Sequence, residues 1–227
     1  MPTIHLIRHG QASYFQADYD QLSETGITQS RILGQTLRQR KVRVDQLVGG
    51  TLKRHRRTAR YAWEALDREM DYREDPRWNE YDHQELIARH RPKLGDFARL
   101  AAYVAAQKEP RRALQELLEG AMRDWMEDAC AYTTPWTEFK ARANAALQEL
   151  AGRLGKSESA WVFTSGGPIS VVILELLNLP DDQFLGLLRR LVNTSITKIL
   201  VGRQGLSLST YNGYGHLEHD PRLLTYR

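Results

Sequence analysis

The sequence predicts an α/β fold, a three-layer α/β/α sandwich around a mostly parallel sheet. Strand-like and helix-like segments alternate between residues 3 and 66, and the alternation resumes after residue 159. Between these stretches the pattern is almost wholly helical, from about residue 84 to residue 154. We therefore expect a single domain over residues 1–227, in which residues 84–154 form a helical insertion that caps the carboxyl edge of the sheet.

The first half of the predicted sheet begins with residues 3–7, which are apolar and β-branched and so typical of a buried strand. Residues 25–40 follow with apolar side chains at helical spacing, and Thr25 is the candidate N-cap. Residues 45–50 predict a second strand closed by two glycines, and residues 52–66 predict a second amphipathic helix. This order of strand, helix, strand and helix is typical of a parallel sheet.

The remaining strands are predicted on both sides of the helical insertion. A short strand fits residues 72–78, ahead of the insertion. After the insertion, residues 160–164 predict a strand and residues 169–177 an apolar helix that has a proline at its start. Two strand-like runs predict a closing hairpin, at residues 195–201 and 206–211.

The composition is that of an ordinary globular protein, with 41% hydrophobic and 26% charged residues. Its longest apolar runs fall far short of the roughly 20 residues that a membrane-spanning helix needs. Residues 1–8 lack the long apolar stretch of a signal peptide, and the single cysteine, Cys130, rules out an internal disulfide framework. We therefore expect a cytoplasmic protein that does not enter the membrane.

The charge balance allows anionic partners without choosing among them. The formal net charge is +4, and basic residues cluster within residues 53–60. Positive potential attracts both nucleic acids and small anions. The cluster lacks the interleaved aromatic side chains of a surface that binds single strands, so a nucleic-acid partner is disfavoured and a small anion is favoured.

The turn Arg8-His9-Gly10 follows the first predicted strand and carries the first candidate reactive group. Ligands of open α/β folds bind at the carboxyl edge of the sheet, where this turn lies. A histidine can accept a phosphoryl group on one ring nitrogen when a hydrogen bond to the other nitrogen fixes the tautomer. The adjacent arginine offers forked donors for phosphate oxygens. Taken alone, so short a motif also fits a structural loop.

Several short segments occur in the order of a known family pattern. They are LIRHGQ at residues 6–11, LSETGITQ at 22–29, LKRHRRTA at 52–59, WNE at 78–80, NTSIT at 193–197 and NGYGHL at 212–217. Together they span nearly the whole chain. On these segments the chain resembles the histidine phosphatase superfamily, which has the phosphoglycerate mutase-like fold.

The resemblance implies a site and a reaction type. His9 matches the family's nucleophile, and Arg8 and Arg54 match the two arginines that hold the phosphate. Glu80 matches the family's acid, which protonates the leaving oxygen. We expect neither a metal nor another cofactor, because no set of Asp, His and Cys residues has metal-ligand spacing.

The chain departs from the family pattern at the position of the second catalytic histidine. Ser165 occupies that position, and we expect Ser165 and Gly166 to contribute to phosphate binding. A serine donates one hydrogen bond but carries no positive charge, which predicts slow turnover. Gly49-Gly50 also replaces the family's small hydroxyl residues, which removes a side-chain ligand or opens room for the substrate.

Two further histidines lie near the matched positions. His55 follows Arg54 directly and on a helix points about 100° away from it, so we expect a surface or packing role for it. His83 lies three residues beyond Glu80 and is a candidate to replace the missing imidazole. The alternative for His83 is a solvated position in a loop.

These observations predict a metal-independent phosphatase that acts on a small phosphoester through a phosphohistidine at His9. Its partner is then a small phosphorylated substrate or inorganic phosphate. The main alternative is a catalytically impaired protein of the same fold that binds a phosphorylated ligand or serves as a scaffold. A phosphomutase is disfavoured, because mutases of the family carry asparagine where this chain has Phe15.

Overall fold

The computed structural model describes residues 1–13, 20–67 and 71–226. Phe15, which bears on the mutase alternative, lies outside the described residues. The chain divides into two compact units, one of Met1–Glu80 with Arg142–Arg227 and one of Tyr81–Ala141. The second unit is helical and overlaps the predicted insertion at residues 84–154. The role of that insertion as a cap over the sheet stays a prediction.

One six-stranded sheet runs through the first unit. Its strands are β1 (Thr3–Arg8), β2 (Gln46–Gly49), β3 (Tyr72–Glu74), β4 (Ser159–Thr164), β5 (Ile196–Gly202) and β6 (Gly205–Gly213). Their spatial order is β3-β2-β4-β1-β5-β6. The first four in this order are parallel, and β5 is antiparallel to both β1 and β6. The predicted α/β class is confirmed, and the hairpin of β5 and β6 makes the sheet mixed.

Eight α-helices lie in the described part of the chain. They are α1 (Glu24–Gln39), α2 (Lys53–Leu66), α3 (His83–His90), α4 (Phe97–Ala105), α5 (Pro110–Met126), α6 (Trp136–Arg153), α7 (Gly166–Leu176) and α8 (Phe184–Leu188). The start of α1 differs from the prediction. Ser23 is the N-cap, because its hydroxyl accepts a hydrogen bond from the Gly26 N–H, and Thr25 lies inside the first turn.

Neighbouring side chains of β1 enter two different cores, because successive residues of a strand point to opposite faces of the sheet. Leu6 belongs to a buried cluster that contains Leu147 of α6 and Val172 of α7. Ile7 belongs to another buried cluster, with Leu33 of α1 and Ala62 of α2. In the first unit, helices therefore cover both faces of the sheet and form the outer layers.

The most deeply buried helix of the first unit is α7, in which residues 166–174 are all buried. It has 11 residues, about half of the roughly 20 that cross a bilayer. Within residues 1–13, 20–67 and 71–226, no helix combines the length and the apolar character that a membrane span requires.

Candidate active site

Two parallel strand ends place His9 and Ser165 next to each other. Strands β1 and β4 are paired in register up to Arg8 and Thr164, and the His9 N–H donates to the Thr164 carbonyl over 2.9 Å. His9 and Ser165 are the residues that follow the two strands, and paired strands lie about 4.8 Å apart. Both residues therefore lie at the carboxyl edge of the sheet, which is the edge that the sequence predicts for the site.

The imidazole of His9 is buried and held in one tautomer. Its Nδ1 lies 2.7 Å from the Gly10 carbonyl oxygen, and because a carbonyl only accepts, Nδ1 carries the hydrogen. Nε2 therefore presents a lone pair. Burial, followed by the charges of Arg54 and Arg8 and by His55, lowers the pKa of His9 well below its usual 6.5. At neutral pH the ring is neutral, as a nitrogen nucleophile must be.

Hydrogen bonds from two other segments fix the backbone around His9. The Asn193 Nδ2 donates to the His9 carbonyl over 3.0 Å, and the Thr194 N–H donates to the Arg8 carbonyl over 3.0 Å. The Gly10 N–H donates to the Thr58 hydroxyl of α2 over 2.9 Å. The position of the His9 ring is thus tied to α2 and to the segment before β5, which limits its reorganisation during a reaction.

Arg54 lies in the first turn of α2 and is buried. Its Nη1 lies 2.8 Å from Asp20 Oδ1, and the other Asp20 oxygen accepts from the Lys53 N–H over 2.7 Å. A guanidinium and the amino end of a helix both favour an anion. The contacts of the Asp20 carboxylate therefore show that the start of α2 binds anionic oxygen.

The guanidinium of Arg8 contacts the carboxyl-terminal part of the chain. Its Nη1 donates to the Leu191 carbonyl, and its Nη2 donates to the Tyr226 carbonyl over 2.9 Å. The charge still acts on the site, since it lowers the pKa of His9. The contact of Arg8 with a phosphate stays a prediction.

The position of His55 differs from the sequence-based expectation. The side chain is fully buried, and its Nε2 lies 2.7 Å from the Ser165 Oγ. Its ring centroid lies 5.8 Å from that of His9. Of the two expected roles, the surface role is wrong, because the buried stripe of α2 is wide enough to contain both Arg54 and His55.

Gly50 provides the space that His55 occupies. A Cβ at position 50 would lie 2.3 Å from His55 Nδ1 and 2.5 Å from Asn79 Oδ1, closer than nonbonded atoms approach. The room that the sequence predicts at Gly49-Gly50 is therefore taken up, at Gly50, by an imidazole of the chain itself. Gly50 and Ser165, two departures from the family pattern, thus both lie against the His55 ring. Their coincidence was the signal in the sequence that could have located His55.

Glu80 lies at the amino end of α7. Its Oε2 accepts a hydrogen bond from the Gly167 N–H over 3.1 Å, where the helix dipole favours negative charge. The loop that carries it is held by Arg142, whose Nη2 donates to the Asn79 carbonyl over 2.8 Å. Gly166 begins the same helix, and a Cβ there would lie 2.6 Å from a methyl group of Leu188. The carboxylate of Glu80 thus occupies the N–H of Gly167 at a helix start, which is a position that favours an anionic oxygen.

His83 is the first residue of α3 and belongs to the second unit. Its role as a compensating imidazole stays a prediction. Across the described ranges of the chain, no group of three or more His, Cys, Asp and Glu side chains is arranged to hold a metal ion.

The match to a family model covers most of the chain and defines its class. The chain belongs to the histidine phosphatase superfamily (branch 1), whose model matches residues 4–213, from β1 to the end of β6. No curated protein matches the sequence. The family of the chain is therefore established.

Solved structures share the fold at low sequence identity. A phosphoserine phosphatase mutant from Entamoeba histolytica, in complex with phosphoserine, is 18% identical over 96% of this chain and 100% of that chain, with a TM-score of 0.66. A mycobacterial glucosyl-3-phosphoglycerate phosphatase is 23% identical over 93% of this chain and 98% of that chain, with a TM-score of 0.62. A phosphoglycerate mutase from Bacillus anthracis is 15% identical over 95% of both chains, with a TM-score of 0.63. At these identities the likeness shows the fold.

Proposed function

We propose that this protein is a metal-independent phosphatase that hydrolyses a small phosphomonoester through a phosphohistidine at His9. The observation that carries the proposal is the state of the His9 ring, in which Nδ1 donates to the Gly10 carbonyl and Nε2 presents a lone pair. The charges of Arg54 and Arg8, which lower the pKa of His9, also attract a phosphate dianion. A neutral nucleophile beside two cations suits attack on an anionic phosphoryl group.

The proposed reaction consists of two displacements at phosphorus. In the first, His9 Nε2 forms the N–P bond, the ester P–O bond breaks, and Glu80 gives a proton to the departing oxygen. In the second, water attacks the phosphorus, Glu80 takes a proton from the water, and the N–P bond breaks to release phosphate. Arg8 and Arg54 bind the non-bridging oxygens, and the Ser165 hydroxyl donates to one of them.

The substrate class is a small phosphorylated molecule. Crystals of the Entamoeba histolytica phosphoserine phosphatase hold phosphoserine in one case and 3-phosphoglyceric acid in another, which supports a small phosphorylated ligand here. The cytoplasmic location expected from the sequence belongs to the same proposal. Slow turnover stays a prediction, because the imidazole beside Ser165 is uncharged at neutral pH and does not replace the missing positive charge.

The experiment that tests this function is a panel of phosphomonoesters, including p-nitrophenyl phosphate, assayed with EDTA present. We expect release of inorganic phosphate at the same rate with and without the chelator, because the described residues hold no metal-ligand cluster. Loss of activity in EDTA that a divalent metal restores would contradict the metal-independent mechanism. If no ester is hydrolysed but phosphate binds, the impaired ligand-binding protein is the correct alternative.

A second prediction concerns the guanidinium of Arg54. We expect Arg54→Gln to lower kcat/KM by about 10²- to 10³-fold, because it removes a charged donor to the phosphoryl oxygens. Arg56→Gln is the matched control, since Arg56 lies on the same helix but is exposed and pairs with Glu74. Ion pairs on the surface contribute little to stability, and Arg56 lies outside the site. The kcat/KM of Arg56→Gln should therefore stay within about twofold of the wild-type value. Equal effects of the two substitutions would exclude Arg54 from phosphate binding.

A further inference from the structure

The hydroxyl of Ser165 does not cap the helix that it precedes. Ser165 is the N-cap residue of α7 but makes no side-chain capping bond. An N-cap serine usually accepts from the N–H of the second or third helical residue. Here the N–H of the second residue, Gly167, donates to Glu80, and Ser165 Oγ lies 2.7 Å from His55 Nε2. The hydroxyl is held by a histidine of another helix instead of by its own helix.

The direction of this hydrogen bond follows from the other ring nitrogen of His55. Burial and the charge of Arg54 lower the pKa of His55 well below 6.5, so one nitrogen carries the only ring hydrogen at neutral pH. Nδ1 is buried beside Gly50 and has no hydrogen-bond partner among the described residues. Buried acceptors are left unpaired more readily than buried N–H groups. The hydrogen is therefore on Nε2, which donates to the Ser165 oxygen.

Because the Ser165 oxygen accepts from His55, the hydroxyl keeps its own hydrogen and can donate it to another acceptor. Ser165 follows β4 as His9 follows β1, and these strands are paired. A phosphoryl group on His9 Nε2 would therefore form at the same edge of the sheet as the Ser165 hydroxyl, next to the His55 ring, whose centroid lies 5.8 Å from that of His9. We propose that His55 is a positioning residue, which orients the Ser165 hydroxyl so that its hydrogen is donated to the phosphoryl group in transfer. This inference rests on the proposed function.

The surroundings of His55 support a role beyond filling space. Gly50 leaves room for the ring, where even a methyl group would overlap with Nδ1. The imidazole is fully buried, as is Ser165, so water does not compete for the bond between them. An apolar aromatic ring at position 55 would fill the space without making the hydrogen bond, and this offers a substitution that tests the bond.

The test compares steady-state hydrolysis of p-nitrophenyl phosphate by the wild type, Ser165→Ala, His55→Phe and His55→Gln. His55→Phe replaces the imidazole with a somewhat larger aromatic ring that has no nitrogens, whereas His55→Gln keeps an N–H donor near the position of Nε2. We expect Ser165→Ala and His55→Phe each to lower kcat by about 10²-fold with KM changed by less than about threefold. We expect the kcat of His55→Gln to be at least tenfold higher than that of His55→Phe.

The double variant His55→Phe with Ser165→Ala separates positioning from packing. Because His55 acts through Ser165, the double variant should lose no more kcat than Ser165→Ala alone. Three results would each overturn the inference. The kcat losses of the two single variants could multiply in the double variant, His55→Phe and His55→Gln could lose equal amounts of kcat, or His55→Phe could keep the wild-type kcat. Should His55→Phe not fold by circular dichroism, His55→Asn takes its place in the cycle, since the shorter amide does not reach Ser165.

The failure of this inference can be told apart from the failure of the proposed function. If the wild type turns over and forms acid-labile phosphohistidine while the His55 variants match it, only the positioning role is wrong. If the wild type hydrolyses no ester in the panel, both proposals fail. If the trapped phosphoenzyme is instead acid-stable phosphoserine at Ser165, the hydroxyl is a nucleophile, and the assigned direction of the hydrogen bond is wrong.

Discussion

Replacing His9 with alanine is expected to lower kcat for phosphoester hydrolysis by about four orders of magnitude or more, because the substitution removes the atom that bonds to phosphorus. Phosphate binding should persist, since Arg54 and the amino end of α7 remain. Two measurements check this result. Phosphate release gives the rate, and incorporation of labelled phosphate reports the covalent intermediate, which should be absent from the variant.

His5 offers a matched control for His9. It lies in β1, the strand that ends just before His9, and its ring stacks on Trp161 with a centroid distance of 4.6 Å. His5→Gln removes an imidazole from β1 at a position outside the site, so its kcat should stay within a few fold of the wild type. A His9→Ala variant that keeps more than about a tenth of wild-type turnover would exclude His9 as the nucleophile.

The free energy of unfolding is expected to fall steeply as the pH drops below about 6.5. Burial, with nearby positive charges, lowers the pKa of His9 and His55 well below 6.5, and burial lowers the pKa of His216 to about 4. All three side chains are buried. In the unfolded chain they titrate near 6.5, so below that pH the unfolded state binds protons that the folded state does not.

Each such histidine costs roughly 1 kcal/mol of stability for each pH unit below 6.5 until its folded pKa is reached. Between pH 7 and pH 5.5, His216 alone should lower the free energy of unfolding by roughly 1 kcal/mol, and His9 and His55 should add to this loss. Urea unfolding at pH 7.5, 6.5 and 5.5 measures this slope. In His9→Ala, the dependence of the free energy of unfolding on pH should be weaker, by the amount that corresponds to the uptake of about one proton. A stability that is constant across this range would show that these rings are not buried in the neutral form.

Much of the sheet was predictable because its signals are local. The strand-like runs at residues 3–7, 45–50 and 160–164 correspond to β1, β2 and β4 within one or two residues. Parallel strands end at the same edge of a sheet, so a turn after β1 and a turn after β4 had to lie at one edge, and the observed pairing of β1 with β4 makes the turns neighbours. This topological rule brings His9 and Ser165 side by side without any knowledge of side-chain packing.

The surroundings of Ser165 were not predictable, because they depend on how α2 packs against the end of β4. The rotation of a helix about its axis is set by the whole buried stripe, and here that stripe contains both Arg54 and His55. One consequence concerns the restoration of the family's histidine at position 165. Ser165→His alone has no room, since Ser165 is fully buried and His55 Nε2 already lies 2.7 Å from its hydroxyl.

The sequence by itself determined the α/β class, the family, and the presence of a histidine and an arginine after the first strand. These follow from periodicity along the chain and from motifs of adjacent residues. Only the tertiary structure decided the tautomer of His9, the burial of His55 and its hydrogen bond to Ser165. Those properties depend on atoms up to 110 residues apart in the chain, and their distances are fixed only when the helices and strands pack together.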